Sequence, residues 1–420
     1  MYLIGSVRRK MESKNTGRNI LLVFIAIVLL AGTFSGGVLV GWILPSQTSL
    51  ESATTSTPSA ADNQKAALDL LFAPFWETWQ YVHEQYIDQP VDDTKLMQGA
   101  IQGMLESLGD KHTGYMDPDT YNQVTAPLDG SYEGIGASVD TSGDLLTIIS
   151  AMPGSPAEEA GLKPGDAVLK VNGMDVTQSD PNIVLKSVKG PAGTDVTLTI
   201  LRVDIPDPFD VTITRQKIEL KSVTSKMEEG NIAYVRISTF GETTTAELKT
   251  ALSDLLKQNP KGLILDLRYN SGGYLTTAIE VISQFIPSGV VMYEQEQNGE
   301  ETSYSAEPGG LATKIPLVVL VNEGSASASE ITAGAIQDFE RGTIVGVTTY
   351  GKGSVQNWIP LDNNQGAVRI TVARWLTPKH RQISEVGLTP DIIVELTQED
   401  YDAEIDTQLN KAIEILSQAE

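Results

Sequence analysis

The chain has 420 residues, more than one hydrophobic core usually holds, so two or three domains are expected. Its hydrophobic fraction of 41% is that of a globular protein, while a formal charge of −24 repels phosphates and no basic stripe with interleaved aromatics follows Arg18. Nucleic acid is excluded as an expected partner, and the lack of cysteine removes any thiol nucleophile.

Basic residues gather at the start, where Arg8, Arg9, Lys10, Lys14 and Arg18 face only Glu12. From Ile20 to Leu44 no residue is charged. A helix over that run, at about 1.5 Å per residue, reaches roughly 37 Å and exceeds a bilayer core of about 30 Å. The run is longer than a signal-peptide apolar region and has no A-x-A-like cleavage site, so residues 1–45 read as a basic tail and an uncleaved transmembrane anchor. Positive residues before the span put the N-terminus inside, making a single-pass cell-membrane protein with its acidic bulk outside the cytoplasm. Residues 46–63 read as a flexible linker, since Pro45 to Asn63 hold nine Ser/Thr and little to bury.

Residues 64–128 read as a helical module. Leu68, Leu71, Phe72, Phe75, Trp76, Trp79 and Val82, then Leu96, Met97, Ala100, Ile101, Met104, Leu105 and Leu108, recur at helical spacing, with Gly109 as a stop. The aromatic stripe fits core or a subunit contact, hence a homo-oligomer, better than a ligand box. Residues 129–215 carry short β-rich runs (Leu146 to Ile149, Ala167 to Val171, Val196 to Leu201, Val211 to Thr214) between glycine and proline turns. Ser155-Pro156-Ala157-Glu158 caps a short helix that Gly161 closes, and Asn172-Gly173 marks a hairpin. Over 216–398, strands (Ile232 to Ile237, Leu263 to Leu267, Leu317 to Val321, Thr343 to Val347) alternate with helices (Thr243 to Leu256, Leu275 to Phe285, Ser327 to Phe339), which predicts a three-layer α/β domain. A last helix occupies 399–420.

His83, His112 and His380 have no metal-ligand spacing, so neither a metal nor another cofactor is expected, and no G-x-S-x-G elbow is present. What remains is Val318 to Glu330, an apolar strand running through small residues, including Ser325, Ser327 and Ser329, into a helix. A hydroxyl at that helix N-terminus would meet free N–H groups and the helix dipole, both favourable to an oxyanion. Ser327 to Glu330 also fits S-x-x-E, so a plain capping box is the competing reading. Lys352, within Tyr350 to Gln356, is the nearest downstream base, active only if burial lowers its pKa, and Gln356 at even separation would share its face along a strand. A solvated loop lysine is the alternative there; the full phosphate-loop pattern is absent. A second turn, Asp266 to Gly273, follows an apolar strand and could supply further N–H donors or be only a turn.

Together these residues resemble the carboxy-terminal processing peptidases, or tail-specific proteases. The resemblance rests on Gly99 to Leu105, Tyr132-Glu133-Gly134-Ile135-Gly136, Gly154 to Ala157, Gly161-Leu162, Gly165-Asp166, Asp266 to Arg268, Ser325 to Ile331 and Tyr350 to Gln356. It implies a multidomain α/β protein, with a crotonase-like peptidase core and an inserted β-rich PDZ domain. It implies a serine endopeptidase with Ser327 as nucleophile, Lys352 as base and Gln356 orienting it. Ala328 and either Gly272 or Gly273 would form the oxyanion hole, and Gly134, Ile135, Gly136 and Ala137 would hold a terminal carboxylate. Protein substrates would be bound by unstructured C-terminal tails. Tyr269 and Ser271 depart from the Asn-Asn-Pro-Gly-Gly often seen in that turn. Two rivals are an adaptor that uses only its PDZ domain, and a site-specific signalling protease as against a degradative one.

Overall fold

The computed structural model describes residues 60–203 and 205–418. The apolar run Ile20–Leu44 and the linker up to Ser59 lie outside the described residues. Among the described residues no helix is long and apolar enough to cross a membrane. The chain divides into two compact units, up to Val91 and from Asp92. In the first, α1 (Ala60–Gln85) starts inside the stretch expected as linker, and its aromatic residues touch along the helix, Phe75 edge-to-face with Trp76 at 5.0 Å and Trp79 stacked on His83 at 5.3 Å.

The second unit opens with α2 (Asp93–Glu106), whose first N–H groups are capped by the Asp92 carboxylate. The expected helical module then changes character: β1 (Gly114–Met116) and α3 (Pro118–Thr125) follow, and β1 pairs with a strand some 250 residues later. A three-residue strand leaves too little pattern to be read in sequence.

The β-rich domain contains β2 (Ser131–Gly134), β3 (Ala137–Asp140), β4 (Thr147–Ala151), α4 (Pro156–Glu159), β5 (Ala167–Val171), β6 (Met174–Asp175), α5 (Pro181–Val188), β7 (Asp195–Leu201), β8 (Phe209–Thr214) and β9 (Gln216–Glu219). Strands β3 to β8 form one sheet in the order 3-4-5-7-8, with β6 beside β5. Alternating Val196, Leu198 and Ile200 turn inward onto Leu146, Ile148 and Val168, and Val184 and Val188 of α5 close that core. Strands β2 and β9 pair only with each other, Tyr132 opposite Ile218, so the chain enters and leaves the domain through one ribbon.

The α/β core comprises β10 (Val223–Glu228), β11 (Ile232–Ile237), α6 (Thr244–Leu256), β12 (Gly262–Asp266), α7 (Leu275–Ile282), β13 (Val290–Glu296), β14 (Glu301–Ser305), β15 (Leu317–Val321), α8 (Ala328–Asp338), β16 (Thr343–Gly346), β17 (Ser354–Pro360), β18 (Ala367–Leu376), β19 (Ile392–Ile393), α9 (Gln398–Asp402) and α10 (Thr407–Gln418). The main sheet runs 10-11-12-15-16-19, parallel except at β10. Every residue of β12 and β15 is buried, as a sheet covered on both faces requires. Leu263, Leu265, Val319 and Val321 face the helices α6 to α8, while Ile264, Val318 and Leu320 meet Ala412 and Leu416 of α10. A second, antiparallel sheet of β1, β18, β13 and β14, with β17 on β18, was not evident from the sequence. Its one local signal was Asn298-Gly299 between β13 and β14.

The last helix is locked down by charge. Buried Arg268 donates to Asp266 Oδ2 at 2.7 Å and to both carboxylate oxygens of Asp406 at 2.8 Å. Arg268→Met should therefore lower unfolding stability by about 3 to 5 kcal/mol, because it strands two carboxylates. Urea unfolding measures this, and a loss below about 1 kcal/mol would show that the bridge does not hold α10.

Candidate active site

Strand β15 ends at Val321 in a turn where Asn322 Oδ1 accepts from Tyr269 N–H at 2.8 Å and from Gly324 N–H at 3.1 Å. The three serines left open by the sequence separate here. Ser325 Oγ donates to Leu267 O and Ser329 Oγ to Asn270 O, both at 2.8 Å and both fully buried. Ser327 instead lines a cavity of about 700 Å3 together with Lys352, Gln356, Arg369, Gly272, Gly273 and Ala328. It is the N-cap of α8 and sits at φ 53°, ψ −116°, a left-handed conformation that is strained for a residue with a Cβ.

Glu330 joins both halves of this arrangement. It is fully buried, and its carboxylate accepts from Ser327 N–H at 2.8 Å, Lys352 N–H at 3.0 Å, Gly351 N–H at 2.7 Å and Thr349 Oγ1 at 2.5 Å. The capping glutamate of the plain reading is thus present, and it also reaches the lysine loop. Burial pushes its carboxyl above the usual range, against the four donors that favour the charged form. Sequence reasoning saw Glu330 only as a cap, because its second set of partners comes from a loop after another strand.

Lys352 is positioned by its backbone: Trp375 Nε1 donates to its carbonyl at 2.8 Å. The glycines beside it admit close backbone, since a Cβ on Gly353 would lie 2.8 Å from Ser384 N and one on Gly351 2.9 Å from Gly387 N. Burial lowers the Lys352 pKa, the Arg369 cation lowers it further, and Glu330 opposes them. Arg369 is itself fixed by donating to His112 O at 2.7 Å. It carries no local sequence signal, since it arrives on β18. Lys352 precedes β17 and a bulge separates Val355 from Gln356, so the even-spacing argument does not apply. The Gln356 amide donates to Ser354 Oγ at 2.7 Å and reaches the same cavity as Lys352.

Of the two glycines, Gly272 is buried and its N–H donates to Asn270 Oδ1 at 2.9 Å, whereas exposed Gly273 lines the cavity with an N–H that meets no acceptor among the described residues. A Cβ on Gly272 would stand 2.8 Å from Ser327 Cβ and 2.9 Å from Ala328 N, so this turn abuts the start of α8.

The loop Gly134 to Ala137 lies in the β-rich domain. Its carbonyls are taken from within: Ala157 N–H donates to Ile135 O, and Met152 N–H and Ser155 Oγ donate to Gly136 O, all at 2.8 Å. Gly136 sits at φ 75°. Ile135 and Ala137 line a cavity of about 260 Å3 between β3 and α5.

Three family models match the chain: peptidase family S41 over residues 231–394, a PDZ domain over 147–202 and the N-terminal domain of activating protease CtpB over 29–120. The carboxy-terminal-processing protease of Bartonella bacilliformis is 40% identical over 328 residues, 77% of this chain and 75% of that one. Carboxy-terminal processing protease CtpB of Bacillus subtilis is 33% identical over 400 residues, covering 93% and 81%. This chain belongs to the carboxy-terminal processing peptidase family. A putative S41 protease from Bacteroides fragilis shares the fold, with a TM-score of 0.51 at 18% identity over 79% of this chain and 91% of that one. The protein is a serine-type peptidase of mixed α/β architecture with a PDZ domain.

For this peptidase, Glu330→Gln should cut kcat/KM about a hundredfold, since the new amide turns a donor toward N–H groups that need an acceptor worth about 1.5 to 3 kcal/mol each. Steady-state cleavage of an unfolded protein with a melting curve tests this. A loss under threefold would show that the carboxylate does not hold the site.

Proposed function

We propose that this peptidase recognises the C-terminal tails of protein substrates through its PDZ domain and hydrolyses them with Ser327 and Lys352. The observation that carries the reading is the pairing of strained, cavity-facing Ser327 with half-buried Lys352 through one carboxylate, Glu330, which binds the backbone N–H of each. Neutral Lys352 takes the Ser327 Oγ proton as Oγ attacks the peptide carbonyl carbon. The oxyanion forms beside Ala328 N–H and Gly273 N–H, two cavity-lining donors that flank Ser327 and meet no acceptor among the described residues. Protonated Lys352 then gives its proton to the leaving amine, and water hydrolyses the acyl-enzyme. Gln356 bounds the lysine's side of the cavity and orients it.

Tail recognition rests on the loop Gly134 to Ala137, whose inward-turned carbonyls leave N–H groups for a carboxylate. Pro127 lines both cavities, so a tail held in one lies close to the other. The run Ile20–Leu44 serves as a membrane anchor with the catalytic part extracytoplasmic. The adaptor reading is disfavoured by the intact Ser327 and Lys352, and labelling by a fluorophosphonate separates the two.

Ser327→Ala should abolish hydrolysis at a stability cost of about 0.5 to 2 kcal/mol, and Lys352→Arg should be equally inactive because guanidinium stays protonated. Residual turnover by purified Ser327→Ala protein would overturn the nucleophile. The rate should rise with pH through the lowered Lys352 pKa. Arg369→Met removes a cation that lowers that pKa, so the rising limb should move to higher pH; an unmoved limb would mean that another group titrates. A C-terminally amidated substrate should lose roughly ten- to hundredfold in efficiency, and equal rates would remove tail recognition while sparing the dyad.

A further inference from the structure

The catalytic cavity is charged unlike the chain around it. The sequence carries 54 Asp and Glu against 30 Lys and Arg, yet among the described residues that line the cavity none is acidic and two, Lys352 and Arg369, are basic. Lys352 has to be neutral to accept the Ser327 proton, so Arg369 is the permanent cation there. Its place is set by the antiparallel sheet, where on β18 it stands opposite Trp358 of β17 and Gly114 of β1. Register partners carry their side chains on one face of a sheet, so Arg369 stands beside Trp358 on one side. On the other side Gly114 leaves open space, since a Cβ built there would meet no atom within 4 Å. The Trp358 ring lies 6.4 Å from that of Tyr121, and both rings line the cavity. Of the half-buried guanidinium, Nε is spent on His112 O at 2.7 Å, while Nη1 and Nη2 meet no acceptor among the described residues.

We infer that Arg369 is a carboxylate-binding subsite of the catalytic cavity, and that it selects substrates carrying an acidic group close to the scissile bond. The inference rests on the reading of Ser327 and Lys352 as the dyad. A guanidinium anchored at Nε and open at both terminal nitrogens presents the planar fork that a carboxylate fills with two parallel, charge-assisted hydrogen bonds. A neutral amide of the same shape offers one acceptor and no charge, so the fork discriminates Glu from Gln. The aromatic rings beside it exclude water and strengthen the attraction. A chain of net charge −24 repels acidic segments at its surface, and one cation in a cleft free of carboxylates reverses that locally. Two groups supply this chemistry: the side chain of an Asp or Glu next to the cleaved bond, or the free end of a substrate cut close to its terminus.

The test digests a library of unfolded synthetic peptides, made with free and with amidated C-termini, using the full chain, and reads the cleavage sites by mass spectrometry. If the ligand is a side chain, sites should be enriched about tenfold in Asp or Glu over Asn or Gln at one fixed position beside the scissile bond. If it is the chain end, sites should cluster at one fixed distance from free termini and be lost on amidation. Either signature should vanish in Arg369→Gln. That change also alters the Lys352 pKa, which scales all sites alike, so the signature is read and not the rate. Arg369→Lys keeps the cation without the fork and should retain about threefold, a readout that serves where Arg369→Gln melts early. Cleavage that survives Ser327→Ala would defeat the dyad, and the subsite with it. Cleavage that needs Ser327 but shows neither signature would overturn the subsite alone. So would a signature undiminished in both Arg369 variants, and a preference for free ends that persisted there would belong to the Gly134 to Ala137 loop.

Discussion

Everything around the cavity is built on one buried carboxylate. Glu330 lies in the first turn of α8 and binds the backbone of Ser327 behind it and of Gly351 and Lys352 from a loop that follows β16. An anion in that position is costly unless its lone pairs are filled, and here four donors fill them. The donors are mostly backbone N–H groups, so satisfying the charge fixes main-chain positions as well as side-chain ones. The relative placement of serine and lysine is therefore a consequence of neutralising Glu330, and the sheet beneath it holds the two loops at that distance.

The same constraint explains the strain. A residue with a Cβ at positive φ costs on the order of 1 to 3 kcal/mol and persists only when its surroundings fix it. Ser327 is fixed from two sides: its N–H is held by Glu330, and the Gly272 turn abuts it so closely that no Cβ fits between them. Glycine at 272, at φ 104°, is thus as much part of the serine's geometry as α8 is. Ser325 and Ser329 stitch that turn to the helix through Leu267 O and Asn270 O. The small residues before α8 are a packing requirement, and only the middle hydroxyl is left to face the cavity.

Much of this was legible in the sequence, and the reasons are local. The apolar runs of β12 and β15, the S-P-A-E cap of α4 and the period of α6 to α8 each declare themselves within a few residues. What escaped depends on partners far along the chain. Strand β1 is three residues long and exists because β18 is there to pair with it. Arg369 beside Lys352 and Asp406 beside Arg268 are meetings across the fold, with no spacing to betray them. The choice among three serines was also non-local, since the carbonyls that occupy Ser325 and Ser329 belong to the Asp266 turn. The apolar run Ile20–Leu44 remains a feature of sequence, outside the described residues.

The route of the chain between the domains adds a last consequence. The PDZ domain is inserted after α3 and returns before β10, and it is attached through the β2–β9 ribbon, the segment around Pro127 and the ion pair of Lys186 on α5 with Asp119 on α3 at 2.7 Å. That segment is anchored to the core through Leu128 O, which accepts from Glu242 N–H at 2.8 Å, while Gly130 O accepts from Leu220 N–H at 2.8 Å where the ribbon ends. Gly241 has no room for a Cβ because Leu128 O would lie 2.5 Å from it. A domain attached through so few links has little opposing its rotation about the ribbon. Changes at the ribbon are therefore able to alter how the two cavities face each other, and Tyr132 is the ribbon residue that lines the cavity between β3 and α5.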